Sequence, residues 1–376
     1  MTVIAHINVH GTHSLIGDLL VSSVGTSPTS PVNLPASADI NARISLPENR
    51  FIVGLQQKVV ILNPSLAIAW SGNFGQAQTL FADLEPLRSQ NHVDPEFVRT
   101  ILDNIDQSQK DDLSLIGMVA TNGRCSLITH RTEQPTSIYP AQDVVSAGSG
   151  RSTFTEILRQ HAPNSTALNP NTSPTDIADG FDLNIIGSMQ SEEFSTPMGI
   201  QNGWGGGFEL ARFAGSEISK MNNILSVHFF LLKNAENGFD LYWLPDFRHT
   251  SYWQDFTVVQ GMEHPVEVSG MMLPGRRDIF VIGPPGRPPA DLTNFVPPDF
   301  HRQSVVMASI EEPVGQDIIT VPSFSSEPAI QFDAPVGGTR VHVSFDLDFL
   351  AGLIAIAQHK WRRPVAFKGV GNRPVF

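Results

Sequence analysis

Residues 58–72, KVVILNPSLAIAWSG, decide how the N-terminal half is read. Two apolar runs rich in β-branched residues flank Asn63-Pro64-Ser65, a composition that turns the chain back on itself, so a β-hairpin is expected. The pattern then changes from alternation to helical spacing. In GQAQTLFADLEPLRSQ (75–90), Ala77, Leu80, Phe81, Leu84 and Leu87 fall on one stripe. A second helix is announced by Asp94 as N-cap and Pro95 at the first helical position, with Phe97, Val98, Ile101, Leu102 and Ile105 as its apolar face.

Upstream, TVIAHINV (2–9) and HSLIGDLLVSS (13–23) read as strands around a turn at Gly11. Between them and Lys58, VGTSPTSPVNLPASAD (24–39) reads as a long solvated insertion outside the core. Downstream come strands LSLIGMVA (113–120) and RCSLITH (124–130), a helix in STFTEILRQH (152–161), another helix from Ser173-Pro174, and a strand in GGGFELARF (205–213). The order is ββ, ββ, αα, ββ, αα, β. Grouped strands separated by grouped helices imply antiparallel sheets with helices layered on them. The expected fold for residues 1–221 is therefore α+β, a four-layer αββα sandwich. From residue 222 the texture changes. NILSVHFFLL (223–232) and FDLYWLP (239–245) flank Asn237-Gly238, a strong hairpin signal, and proline-rich loops follow. Residues 222–376 are expected to form a β-rich C-terminal domain, ending in a solvated or ring-packing basic tail, HKWRRPVAFKGVGNRPVF (359–376).

Bulk properties narrow the function. Of the 376 residues, 41% are hydrophobic and only 16% charged, which marks a folded chain. A formal charge of −13 argues against a nucleic-acid partner, since phosphate binding needs Lys and Arg. One cysteine, Cys125, excludes an intrachain disulfide framework and suits a reducing compartment. In its strand-like context it is expected to be a small core residue. No Lys or Arg precedes an apolar N-terminal run as in a signal peptide. FLAGLIAIA (349–357) is shorter than the roughly 20 residues that span a bilayer. A soluble cytoplasmic protein with no membrane partner is expected. His6, His10 and His13 are expected to be exposed strand histidines, because His13 lies beyond the turn from the other two. No metal and no cofactor is expected.

The N-terminus suggests the chemistry. A threonine freed at its α-amine can attack a carbonyl through its hydroxyl while its own amine takes the proton. An α-amino pKa of about 7.7–8 suits a general base at cellular pH. A nearby lysine lowers that pKa, a carboxylate holds the lysine, and a backbone N–H faces the oxyanion. Thr2 follows Met1, which a small second residue normally allows to be removed. Asp18 ends the strand paired with the one that begins at Thr2, Lys58 starts the quoted hairpin and Gly72 closes it. Ser149 in SAGSG lies in a tight turn before a helix.

These residues and their spacing resemble the catalytic β-subunits of proteasomes and their bacterial peptidase relatives, within the N-terminal nucleophile hydrolase superfamily. The resemblance covers Thr2, Gly17-Asp18, the whole of KVVILNPSLAIAWSG, the helix opening GNFGQAQTLF and VVSAGSG, over residues 2–215. It implies that Thr2 is nucleophile and base, that Lys58 lowers the pKa of Thr2, and that Asp18 orients Lys58. It further implies that the N–H of Gly72 forms the oxyanion hole and that Ser149 assists proton movement. If GWGGG aligns with the family's Ser-Gly-Gly, Asn202 stands where the family carries an aspartate and Gly205 where it carries a serine; Glu192 and Ser195 offer the same spacing in another register. Ser22 aligns with a position that holds substrate as an added strand, and Trp70 with the residue shaping the primary specificity pocket. The implied activity is cleavage of peptide or other amide bonds through an acyl-enzyme on Thr2, in a homo-oligomer of ring form acting on peptide or protein substrates. Two other readings fit the same residues: an inactive relative serving assembly or partner binding, and a small-molecule amidase.

Overall fold

The computed structural model describes residues 2–25, 28–30, 32–35, 46, 49–90, 93–104, 112–161, 173–195, 198–263, 266–268, 271–273, 276–299, 303–312, 317–324, 328–333 and 342–371. The chain divides into two compact units. The first takes residues 1–221 together with 252–257 and 281–295, and the second takes 222–251, 258–280 and 296–376.

In the first unit, β1 (Ile4–Val9) and β2 (Thr12–Asp18) pair antiparallel about His10 and Gly11. Both turn residues have positive φ, 51° and 86°, as the twist of a two-residue hairpin requires. β3 (Leu20–Val24) and β4 (Arg50–Leu55) form a two-stranded sheet. β5 (Val59–Asn63), β6 (Leu66–Gly72), β7 (Leu113–Thr121) and β8 (Arg124–His130) form a four-stranded antiparallel sheet in chain order. β9 (Thr136–Ile138), β10 (Ala141–Ala147), β11 (Phe208–Ala214) and β12 (Glu217–Lys220) join the first hairpin in a six-stranded sheet, β12-β11-β2-β1-β10-β9. The helices are α1 (Phe74–Leu84), α2 (Pro95–Asn104), α3 (Arg151–His161), α4 (Pro174–Ser195) and the single turn α5 (Met198–Gln201). Asn73 caps α1 by accepting the Gln76 N–H at 3.2 Å, and Ser173 does the same for Asp176 ahead of α4 at 3.1 Å.

The quoted hairpin is apolar on both faces because both are covered. Leu66, Ile68 and Trp70 of β6 pack with Ala77, Leu80, Phe81 and Leu84 of α1. The alternate residues Ala67 and Ala69 share a second core with Ile4, Leu15, Val145 and Ala211 of the six-stranded sheet. Their small side chains let β6 approach that sheet closely. Each large side chain buried here contributes about 1.5–3 kcal/mol.

In the second unit, β13 (Ile224–Lys233) and β14 (Phe239–Trp253) form the expected hairpin at Asn237-Gly238. β15 (Phe256–Glu263) extends it, and β16 (Val266–Val268) pairs β17 (Met271–Leu273). β18 (Arg276–Ile282), β19 (Val305–Glu312) and β20 (Asp317–Phe324) complete the sheet order β18-β15-β14-β13-β19-β20. β21 (Ile330–Asp333) pairs β22 (His342–Phe345). The part of the basic C-terminal segment that is described is not a solvated tail. Its start closes α6 (Leu347–Trp361), and its continuation is β23 (Val365–Val370), parallel to β14. Leu353 and Ala357 of α6 pack into a core with Phe229, Trp243 and Leu241.

The expected four-layer αββα sandwich is corrected by this architecture. Strand outweighs helix, 47% to 25%, and the strands are mostly antiparallel and divided among several sheets, three of them two-stranded. Grouping of strands and helices along a sequence constrains sequence neighbours. It does not decide how distant strands assemble: β11 joins β2 and β10 joins β1 across more than a hundred residues. The insertion at 24–39, in its described part, is not simply solvated either. Leu34 is fully buried with Leu20, Ile52 and Ile200. Ile105 and residues 26–27, 31 and 36–39 lie outside the described residues.

Candidate active site

The β1–β2 register pairs Ile4 with Gly17, which brings Thr2 and Val3 to the level of Asp18. The Asp18 N–H donates to the Val3 carbonyl at 3.1 Å. The Asp18 carboxylate is fully buried and takes three donors: the Thr2 hydroxyl and the Val3 N–H at 3.1 Å on Oδ1, and the Gly205 N–H at 2.9 Å on Oδ2. Burial pushes this carboxyl up to about 6, against the pull of Lys58, the Thr2 hydroxyl and the two N–H groups.

Lys58 is 2% exposed, and its ammonium sits 3.9 Å from the centroid of the Trp70 ring. Burial lowers its pKa to about 8, opposed by Asp18 and then by Glu209. At pH 7 the site thus holds a carboxylate and an ammonium together in a low-dielectric interior. Gly17 makes the approach possible: a Cβ there would lie 2.9 Å from Val59 Cγ2 and 3.0 Å from Lys58 Cβ.

The loop before α3 closes round Thr2. The Thr2 nitrogen donates to Ser149 Oγ at 3.1 Å, and the Gly150 N–H donates to the Thr2 carbonyl at 3.1 Å. Gly148 has φ +92°, and a Cβ on it would lie 2.1 Å from that carbonyl oxygen. Ser149 Oγ in turn donates to the Asn202 carbonyl at 3.4 Å, so Asn202 enters through its main chain.

The structure therefore brings together Thr2, Asp18, Lys58, Ser149, Trp70 and the Asn202 carbonyl. Gly72 lies at the exposed end of β6, paired with Leu113, and needs to be glycine because a Cβ would meet the Asp112 carbonyl oxygen at 1.8 Å. Ser22 lies on β3 opposite Ile52. Trp70 is fully buried, with its indole N–H donated to the Gln57 carbonyl at 2.9 Å, so it seats Lys58.

Two residues to which the sequence assigned no role matter here. Gly205 supplies a donor to Asp18, and Glu209 binds the main chain of Lys58 and Val59. The one visible signal was an acid interrupting the apolar run of GGGFELARF.

The histidines depart from expectation. His6 is 1% exposed, with Nε2 3.0 Å from His13 Nδ1 and Nδ1 2.9 Å from the Asp143 carbonyl oxygen. Their positions on paired strands make His6 and His13 diagonal neighbours, a juxtaposition that counting along one strand cannot show. His10 is exposed in the turn. Among the described residues no group of three or more His, Cys, Asp or Glu is placed to hold a metal ion. Cys125 is only partly buried, and desolvation pushes its thiol up to about 12, which leaves it a poor nucleophile at neutral pH. No helix among the described residues is long and apolar enough to cross a membrane. No protein-family model matches the chain, and no curated protein matches it in sequence.

Proposed function

We propose that the chain is an N-terminal threonine hydrolase cleaving amide bonds, of the kind the resemblance to proteasome-type peptidases implies. One observation carries the reading: a single buried carboxylate, Asp18, accepts the Thr2 hydroxyl and interacts electrostatically with the buried Lys58. Cleavage of the Met1–Thr2 bond turns the Thr2 nitrogen, 3.1 Å from Ser149 Oγ, into an amine. The hydroxyl oxygen then attacks the substrate carbonyl and its proton passes to that amine. Collapse of the tetrahedral intermediate breaks the C–N bond, the proton leaves with the departing amine, and an ester remains on Thr2. Water attacks the ester by the reverse route and releases the acid. Lys58 and Asp18 stabilise the charges that develop, as fixed groups in a dry site do.

A second reading has its own support. Asp18, Lys58 and Trp70 around Thr2 are all buried, a closed surrounding that favours a small acyl amide over a folded polypeptide as substrate. The test is the intact mass of the native protein before and after a peptide epoxyketone, a warhead that needs a hydroxyl and a free α-amine on one residue. Loss of Met1 and one adduct, absent in Thr2→Ala, is expected. Retained Met1 rejects the hydrolase reading. Loss of Met1 without an adduct, together with turnover of short acyl amides, selects the amidase.

A further inference from the structure

β11 carries one acid in its apolar run, Glu209, and it is fully buried. A buried carboxylate is costly unless donors satisfy it, and this one has four. Oε2 accepts the N–H groups of Lys58 and Val59 at 2.8 and 3.1 Å. Oε1 accepts Lys220 Nζ at 2.6 Å and the Thr257 hydroxyl. Thr257 Oγ1 also accepts Gln57 Nε2 at 2.9 Å, so the residue before Lys58 is tied to the same centre. β11 pairs with β2, with Phe208 opposite Asp18, so the strands bearing the two acids are neighbours.

Resting on the threonine-hydrolase reading, we infer that Glu209 is a positioning residue: through its bonds to the Lys58 and Val59 N–H groups it fixes the main chain that carries the Lys58 ammonium, and it brings a second buried acid to the neighbourhood of Asp18. Asp18 acts more strongly on Lys58 than Glu209 does, and Glu209 adds to it from the neighbouring strand. The charged and titratable groups around this centre are Asp18, Lys58, Lys220, Tyr252, whose ring centroid is 4.7 Å from Lys220 Nζ, and Asp255, which acts on Lys220. Lys220 shares Glu209 with Lys58 and weakens its hold. Loss of Glu209 therefore lets Lys58 release its proton at lower pH, and loss of Lys220 has the opposite sign.

The experiment uses the full chain with 13C-labelled lysine side chains. Lys58 titration is followed by NMR, and peptide-epoxyketone labelling is measured against pH in parallel. Glu209→Gln, which keeps the shape, is expected to lower the Lys58 titration by about one pH unit and to move the alkaline limb of labelling down with it. A slower reaction with an unmoved titration assigns Glu209 a merely structural role and overturns the inference. If Glu209→Gln does not fold, Lys220→Met decides: an upward move of the Lys58 titration supports the inference, and no move or a downward one overturns it. Absence of labelling in the wild-type chain counts against the hydrolase reading alone, because the NMR titration still reports on Glu209.

Discussion

Two parts of the β1–β2 hairpin bury polar side chains under opposite rules. At the open end, Asp18 receives three hydrogen-bond donors and feels the charge of Lys58, and burial raises its pKa only to about 6. In the middle of β1, His6 meets a carbonyl and a second imidazole that lies nearer the turn, and burial drives its pKa down to about 4. The first part keeps opposite charges poised near neutrality, and the second keeps a ring neutral. The hairpin is one element with one register. The difference comes from what lies opposite: Lys58 and Gly205 in one case, Asp143 and His13 in the other. Asp143 also acts on His6 as a counter-charge, but there burial outweighs it, whereas at Asp18 three donors and the charge of Lys58 offset much of the burial.

This contrast can be broken from either end. The largest effect is expected from Lys58→Met, which leaves Asp18 without its cation. Epoxyketone labelling of Thr2 should fall about 10⁴-fold, of the order seen when a supporting member of a catalytic unit is removed. A fall of less than tenfold would show that Lys58 only packs. The wild-type rate should be bell-shaped in pH, rising as Asp18 and then the Thr2 amine lose their protons and falling as Lys58, whose pKa burial lowers to about 8, loses its own. A rate still climbing above pH 9 would take Lys58 out of the mechanism.

Ser149→Ala removes the hydroxyl beside the Thr2 nitrogen and should slow labelling about a hundredfold, at the low end for a proton-transfer group. Gly17→Ala should destabilise the fold by about 1–3 kcal/mol through overpacking against Val59 and Lys58, measured by denaturant melts. The smallest effect on labelling belongs to His6→Phe, within twofold of wild type, while its effect on acid stability is clear. The folded imidazole stays neutral to about pH 4, whereas unfolded it takes a proton near 6.5. The unfolded chain therefore binds more protons in that window. Stability present above pH 6.5 is lost as pH falls toward 4, by up to about 3 kcal/mol. The variant should lack this loss. Equal acid sensitivity in both proteins would mean that His6 is solvated after all.

Much of the local structure was legible because its signals are local. The turn at His10-Gly11, the hairpin about Asn63-Pro64-Ser65, the cap at Asp94-Pro95 and the start of α4 at Ser173-Pro174 each follow from a few adjacent residues. The sheets were not legible. Which strands become neighbours depends on contacts across the chain, and the separation of strands into several sheets replaced the layered sandwich that grouping had implied. The second half shows the same limit. Its last basic segment has the composition of a tail, but Val365 and Phe367 find an apolar groove beside Phe229 and Phe239 and become strand.

Sequence by itself determined the reactive vocabulary of this protein: a threonine in second place, Gly-Asp at the end of its partner strand, and a lysine opening a doubly apolar hairpin. Only the tertiary structure decided their electrostatics. Trp70 was expected to wall a pocket, and it lies under Lys58. Trp204 packs against Gly150, where a Cβ would come within 2.8 Å of the indole, beside the loop that grips Thr2. Glu209 became visible as a partner of Lys58 only when β11 was seen beside β2. The reason is physical. Residue type and spacing set which groups exist and which face of a strand they share, but the free energy of a buried charge depends on dielectric and counter-charge. Both are properties of the assembled neighbourhood.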